Sequence, residues 1–321
     1  MVLLLFSFAA ALLINTSPGQ QVATAQKIDS DRDGISDEQE QVLLERFRPA
    51  FMISKTDCAV QPSRFEPDHE IPTALATDGT IYGQVFPVPG NRVEIHYYTL
   101  WDRDCGRMEH PLDAEHVSVL VSMDSNTEPK ALYWYAGAHE KTACEMSNGA
   151  RVEALTMDGN RPTIWSSSGK HALFLSTEMC GHGCGADSCK NNVELSKNGP
   201  IINIGELDRP MNGALWVKSS SWPLADKMDG DFSSDVLSRL ETAPAGTIST
   251  VRGNRTLRGT IDGAGAAVEG GATGVHHTEA ALTTANGHTS RSLGTATRAT
   301  GRALKRTWNA ILPKAQEPNP R

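Results

Sequence analysis

The chain has 321 residues, 39% of them hydrophobic, with a formal net charge of −8. That length and apolar content admit one large domain or two small ones with a sizeable core. The acidic balance excludes nucleic acid as a main partner, because phosphate binding needs clustered Lys and Arg.

Residues 1–25 read as a secretory signal. Val2 to Ile14 is almost wholly apolar, polar Asn15, Thr16 and Ser17 follow, and Ala23-Thr24-Ala25 offers a small-residue cleavage site. The apolar run is short for a bilayer span. The expectation is a secreted protein, extracellular or periplasmic.

Residues 26–56 read as an acidic loop and a helix. In DSDRDGISDEQE, Asp29, Asp31 and Asp33 take positions one, three and five of a twelve-residue loop. Gly34 stands at the sharp turn, Asp37 at position nine and Glu40 at twelve. This is an EF-hand-like spacing for calcium, since carboxylates crowded on one side of a tight loop repel until a cation sits among them. With no second hand, the loop resembles the single calcium loops of thrombospondin type-3 and dockerin-type repeats. Glu38 to Phe47 is the expected helix, with Val42, Leu43 and Phe47 as its apolar stripe.

Residues 57–241 form the expected main domain. Arg92–Leu100, His116–Met123, Ala131–Ala136, Thr163–Ser166 and His171–Leu175 are rich in β-branched and aromatic residues, and turn residues punctuate them. The pattern predicts an all-β fold, an antiparallel two-sheet sandwich. A helix is expected over Phe232–Leu240, capped by Asp231. All six cysteines lie in this region: Cys58, Cys105, Cys144, Cys180, Cys184 and Cys189. In an exported chain an even number implies disulfides, here with fifteen possible pairings. The rival reading of CGHGCGADSC is a zinc site that uses His182. Residues 242–321 turn to Ala, Gly and Thr and read as a disordered tail. Near its end Ala303, Leu304, Trp308, Ile311 and Leu312 share one helical face, a short helix that docks on its own domain or contacts a membrane surface.

The segment DRDCGRMEHPLDAE holds Asp102, His110, Asp113 and Glu115. Three carboxylates and an imidazole suit a hard divalent ion (calcium, magnesium or manganese), with zinc a lesser fit. Asp113 and Glu115 are two apart and share a face on a strand. Asp104 and His116 are weaker candidates, placed to support ligands rather than to bind. A solvated acidic hairpin would show much the same spacing.

This stretch resembles the core motif of the necrosis-inducing protein family, the Nep-like cytolysins, and the related vacuolar-protein-sorting-like families. In the cytolysins an aspartate ends an aromatic strand and a motif GHRHDWE follows. The offset from Asp102 and the His110-x-x-Asp113-x-Glu115 spacing match it. WYAGAHE with His139 and GKHALFL with His171 resemble two later segments, so the likeness spans roughly residues 80–180. Pro111, Leu112 and Ala114 replace the family's most distinctive motif neighbours, and no exposed aromatic loop is visible. The resemblance implies the four residues as divalent-cation ligands, His139 and His171 as possible pocket residues, and a glycan or glycolipid headgroup as partner, with peripheral membrane contact. Two other readings stay open: a metal-dependent hydrolase using His139 and His171, although no HExxH or GxSxG signature is present, and a structural extracellular protein whose metals serve stability.

Overall fold

A computed structural model of the chain describes residues 27–253, apart from 107, 108, 125, 143, 184–186, 196–198 and 223. The signal segment, Cys184, the tail from 254 on and its terminal amphipathic segment lie outside the described residues.

The chain begins with α1 (Asp37–Phe47), β1 (Ala50–Ser54), β2 (Arg64–Phe65), β3 (Ala74–Ala76) and β4 (Ile81–Val88). The centre holds β5 (Arg92–Asp104), β6 (His110–Ser122), β7 (Lys130–Ala136), β8 (Asn148–Arg151), β9 (Met157–Asp158), β10 (Arg161–Ser166), β11 (Leu173–Phe174) and α2 (Thr177–Gly181). It ends with β12 (Asn192–Glu194), β13 (Ile201–Asn203), β14 (Gly205–Glu206), β15 (Arg209–Pro210), α3 (Ser234–Thr242) and β16 (Ile248–Thr250).

The fold is therefore mostly strands with few helices, in several sheets. The largest sheet runs β13-β4-β5-β6-β7-β8-β16, and a smaller one runs β11-β10-β1-β12 with β9 on β10. Pairing is not wholly antiparallel as expected: β1 runs parallel to β10, and β13 parallel to β4. Each parallel partner returns from far along the chain, which local alternation does not reveal.

Alternation explains the β5–β6 hairpin. Val93, Ile95 and Tyr97 of β5 pair with Val121, Val119 and Val117 of β6. These residues enter one core cluster with Leu43, Leu44 and Phe47 of α1, Phe51 and Ile53 of β1 and Ile164 of β10. Each such side chain contributes about 1.5–3 kcal/mol by leaving water. The opposite face is covered too. Tyr82, Tyr98, Leu100 and Ala114 pack there with Trp216, Trp222, Leu224 and Met228 from the segment after β15. Polar residues that alternation assigns to solvent are thus buried on that face, among them Glu94, His96 and His116.

Several expectations need correction. Ser36 caps α1, and Val42 is 62% exposed while Leu44 is fully buried, so the stripe is Leu43, Leu44 and Phe47. The cap of α3 is Ser233, not Asp231. The strand in HALFL is confined to Leu173 and Phe174. The described residues fall in one compact unit. Its large sheet closes with β16 on β8, beyond residue 241. Cys58 pairs with Cys105 and Cys180 with Cys189, while Cys144 is also disulfide-bonded. The zinc reading of CGHGCGADSC fails, because two of its thiols form a bond with each other.

Candidate functional site

In the N-terminal loop, Gly34 has φ +100° and Arg32 φ 63°, the left-handed turns that fold the chain back on itself. Ligand atoms of Asp29, Asp31 and Asp33 lie within 4.8 Å of one another. Backbone N–H groups steady two of these side chains: Gly34 donates to Asp29 Oδ2 at 3.1 Å and Ile35 to Asp33 Oδ1 at 2.7 Å. Asn203 Nδ2 likewise donates to Glu40 Oε2 at 2.9 Å. The remaining oxygens, Asp29 Oδ1, both of Asp31, Asp33 Oδ2 and Glu40 Oε1, are buried and meet no hydrogen-bond donor. Burial and the neighbouring carboxylates Asp33 and Asp29 push Asp31 up to about 6. Burial, Asp31 and Asp33 push Glu40 up to about 8.

Asp37 plays another part. Both its oxygens accept from Ser30, N–H at 2.7 Å and hydroxyl at 2.6 Å, so it closes the loop rather than facing inward. Glu206 joins the acidic group from β14. Its Oε1 is buried without a donor, and burial, Asp31 and Asp33 raise it to about 7. No local spacing reveals Glu206, because the β14–β15 hairpin brings it to the loop, where Arg209 also donates to the Asp31 carbonyl at 3.0 Å.

The β5–β6 rim behaves differently. Asp113 and Glu115 are buried, whereas Asp102 and His110 are exposed. Among the described residues the four do not gather as a ligand set. His110 Nε2 sits 3.7 Å from Asp104 Oδ2, and Leu112 between His110 and Asp113 takes a left-handed φ of 59°. The two buried acids instead meet cations built into the chain. His171 Nδ1 bonds Asp113 Oδ2 at 2.9 Å and His171 Nε2 lies 3.3 Å from Asp57 Oδ1, with Trp101 stacked on the imidazole at 3.9 Å. Burial opposes the charge on His171, but Asp113 and Asp57 outweigh it and raise the group to about 9. Lys227 Nζ donates to the Ala114 carbonyl and lies 3.6 Å from Glu115 Oε2. His139 Nε2 bonds Asp187 Oδ2 at 2.8 Å, and Lys170 Nζ bonds Asp187 Oδ1 at 2.9 Å.

The residues named from the sequence therefore split. His139 and His171 do come to this rim, but each is engaged in an ion pair, and His171 is wholly buried with a carboxylate facing each nitrogen. Asp57, Lys170, Asp187 and Lys227 complete the array. Lys170 is the chain neighbour of His171, while Asp57, Asp187 and Lys227 arrive from distant segments and carry no local signal. Asp113 is paired with His171, whereas Glu115 has Lys227 Nζ only at 3.6 Å from an Oε2 that meets no hydrogen-bond donor, and burial raises it to about 7. Asp57, Cys58 and His171 also converge, but the Cys58 sulfur is committed to its disulfide.

No family model matches the chain, and no curated protein does. Among solved structures it is similar to NLPPya in complex with mannosamine, at 16% identity over 59% of this chain and 80% of that one, TM-score 0.37. It is similar to NLPPya in complex with glucosamine, at 16% identity over 64% and 90%, TM-score 0.37. It is also similar to necrosis and ethylene inducing protein 2 from the causal agent of cocoa's witches' broom disease, at 16% identity over 63% and 93%, TM-score 0.36. Likenesses of this grade establish neither family nor function.

Proposed function

We propose that the chain is a secreted, divalent-cation-binding β-sandwich protein that recognises a glycan or lipid headgroup, with calcium held in the loop of residues 29–40. The observation that carries the cation is the set of buried carboxylate oxygens on Asp29, Asp31, Asp33 and Glu40 that meet no donor. Burying unpaired acids is costly, and a hard cation with oxygen ligands relieves that cost. Calcium suits the expected exported context, where it is abundant enough for a single loop to fill. The ion would tie the loop to β13 through Glu40 and Asn203, and to β14 through Glu206.

The headgroup part rests on the rim of β5 and β6. Exposed Asp102, Arg103, Glu109 and His110 stand there above the buried ion-pair array. Side chains of both signs around a rigid base suit a hydroxyl-rich or zwitterionic group. An ion shared by Asp102, His110, Asp113 and Glu115 would need the two exposed side chains to turn onto the two buried ones.

Calcium titration with thermal unfolding tests the first part. At a hundredfold excess over Kd the ion is expected to stabilise the protein by about 2.7 kcal/mol. Glu40→Gln is expected to lose that increment and still fold. A wild-type protein whose unfolding is identical in calcium and in chelator sinks the calcium reading. A glycan and lipid array tests the second part, and binding by Asp102→Ala and His110→Ala proteins equal to wild type sinks the rim as the recognition surface.

A further inference from the structure

We propose that His96, His116, Asp231 and Glu94 form a second metal site, of the kind that takes zinc, beneath the segment covering the outer face of the large sheet. It is separate from the acidic loop and does not depend on the reading given to that loop. Tyr98 of β5 pairs with His116 of β6, and His96 with Ser118, so the two imidazoles are diagonal neighbours on one face. Their rings stack at 5.4 Å with an 8° tilt. Both present Nε2 to the same carboxylate, His116 at 2.9 Å and His96 at 3.8 Å from Asp231 Oδ2. Glu94 Oε1 lies 2.8 Å from His96 Nε2. The ligand atoms of His96, His116 and Asp231 all fall within 4.8 Å of one another, and none of the four residues is more than 2% exposed.

The back of each imidazole is held as metal-bound histidines usually are, by a polar partner on the other ring nitrogen. His116 Nδ1 lies 3.0 Å from Glu140 Oε2, and His96 Nδ1 lies 3.1 Å from the Tyr98 hydroxyl. Gly137 leaves room for the first contact, since a Cβ there would come within 2.8 Å of Glu140 Oε2 and 3.1 Å of His116 Nδ1.

The hydrogen bonds around His96 orient it toward the same point. Gln84 Nε2 donates to Glu206 Oε2 at 3.1 Å, which turns Gln84 Oε1 toward Tyr98. The Tyr98 hydroxyl donates to that oxygen at 2.8 Å, its shortest contact. His96 Nδ1 faces the same hydroxyl at 3.1 Å, so its Nε2 is turned to the carboxylates of Glu94 and Asp231. Asp231 Oδ2 also accepts from Ser118 Oγ at 2.6 Å, and Asp231 Oδ1 lies 3.4 Å from Arg252 Nη1. A cation would sit where the two Nε2 atoms and the two carboxylates converge. Two nitrogens and two oxygens suit zinc better than calcium, and two carboxylates balance its charge.

The full chain, prepared in zinc and then washed with a calcium-selective chelator, is expected to retain about one zinc ion, the stoichiometry of a single closed site. Refolding in cobalt is expected to give the visible absorption of a tetrahedral site. His96→Gln and Glu94→Gln are expected to lose the ion, and Glu40→Gln to keep it. Folded wild-type protein that takes up neither metal overturns the proposal. Zinc retained undiminished by a folded His96→Gln protein overturns it as well. Should both variants fail to fold, the wild-type cobalt spectrum decides alone.

Discussion

The acidic loop and the β5–β6 rim begin from the same raw material, several carboxylates close in sequence beside buried apolar residues. They differ in the charges the fold brings to them. In the loop the inward oxygens of Asp29, Asp31, Asp33 and Glu40 meet no hydrogen-bond donor among the described residues. At the rim Asp113 and Asp57 share His171, Asp187 holds His139 and Lys170, and Glu115 faces Lys227. Acid spacing selects where negative charge collects. Whether the fold also delivers a positive side chain to that point is a long-range matter.

The most forceful way to break this contrast is to remove the rim's own cation. Lys227→Met leaves Glu115 buried without its ammonium and is expected to cost about 3–5 kcal/mol in urea unfolding, the usual penalty for halving a buried pair. The double variant Lys227→Met with Glu115→Gln should recover much of that loss. A single-variant loss below about 1 kcal/mol would put the pair among surface bridges and end the claim that Lys227 neutralises this acid.

The pH response sharpens the contrast. Glu40 is raised from an ordinary 4.5 to about 8, so the folded chain without calcium binds more protons than the unfolded one across that window. Stability in chelator is therefore expected to fall as pH rises from about 4.5 through about 8, and saturating calcium should flatten the fall. His171 is raised from 6.5 to about 9, so its contribution is complete below 6.5 and is lost as pH rises through 9. That second fall should persist with calcium present. Unfolding midpoints from pH 4.5 to 10 with and without calcium check both, and a fall between pH 4.5 and 6.5 that calcium leaves undiminished would remove Glu40 as its source.

Much of this was legible in the sequence. The twelve-residue loop carries its own spacing, and the strands of the β5–β6 hairpin carry theirs, because both are local. The burial of His96, His116 and Glu94 was not legible: alternation identifies the second face of a strand but not what covers it, and here the cover comes from residues after 204. Asp231 was read as a helix cap because it precedes an amphipathic run, yet it turns inward to accept from Ser118 and His116. The β5–β6 rim was read as a metal site from its three carboxylates and imidazole, the spacing of Asp113 and Glu115, and the family resemblance. Asp102 and His110 are exposed while Asp113 and Glu115 are buried, which strand spacing alone could not show.

The smallest expected effect is therefore also a discriminating one. Asp102→Ala and His110→Ala alter exposed side chains outside the ion-pair array, and each should change stability by no more than about 0.5 kcal/mol. Metal content should be unchanged, because the loop carboxylates lie elsewhere in the chain. Should either variant lose a bound ion and several kcal/mol together, the two exposed groups must turn inward onto Asp113 and Glu115 when metal is present. Lys227 would then have to yield its place beside Glu115, and its ammonium would be a displaceable stand-in for the ion rather than a permanent one.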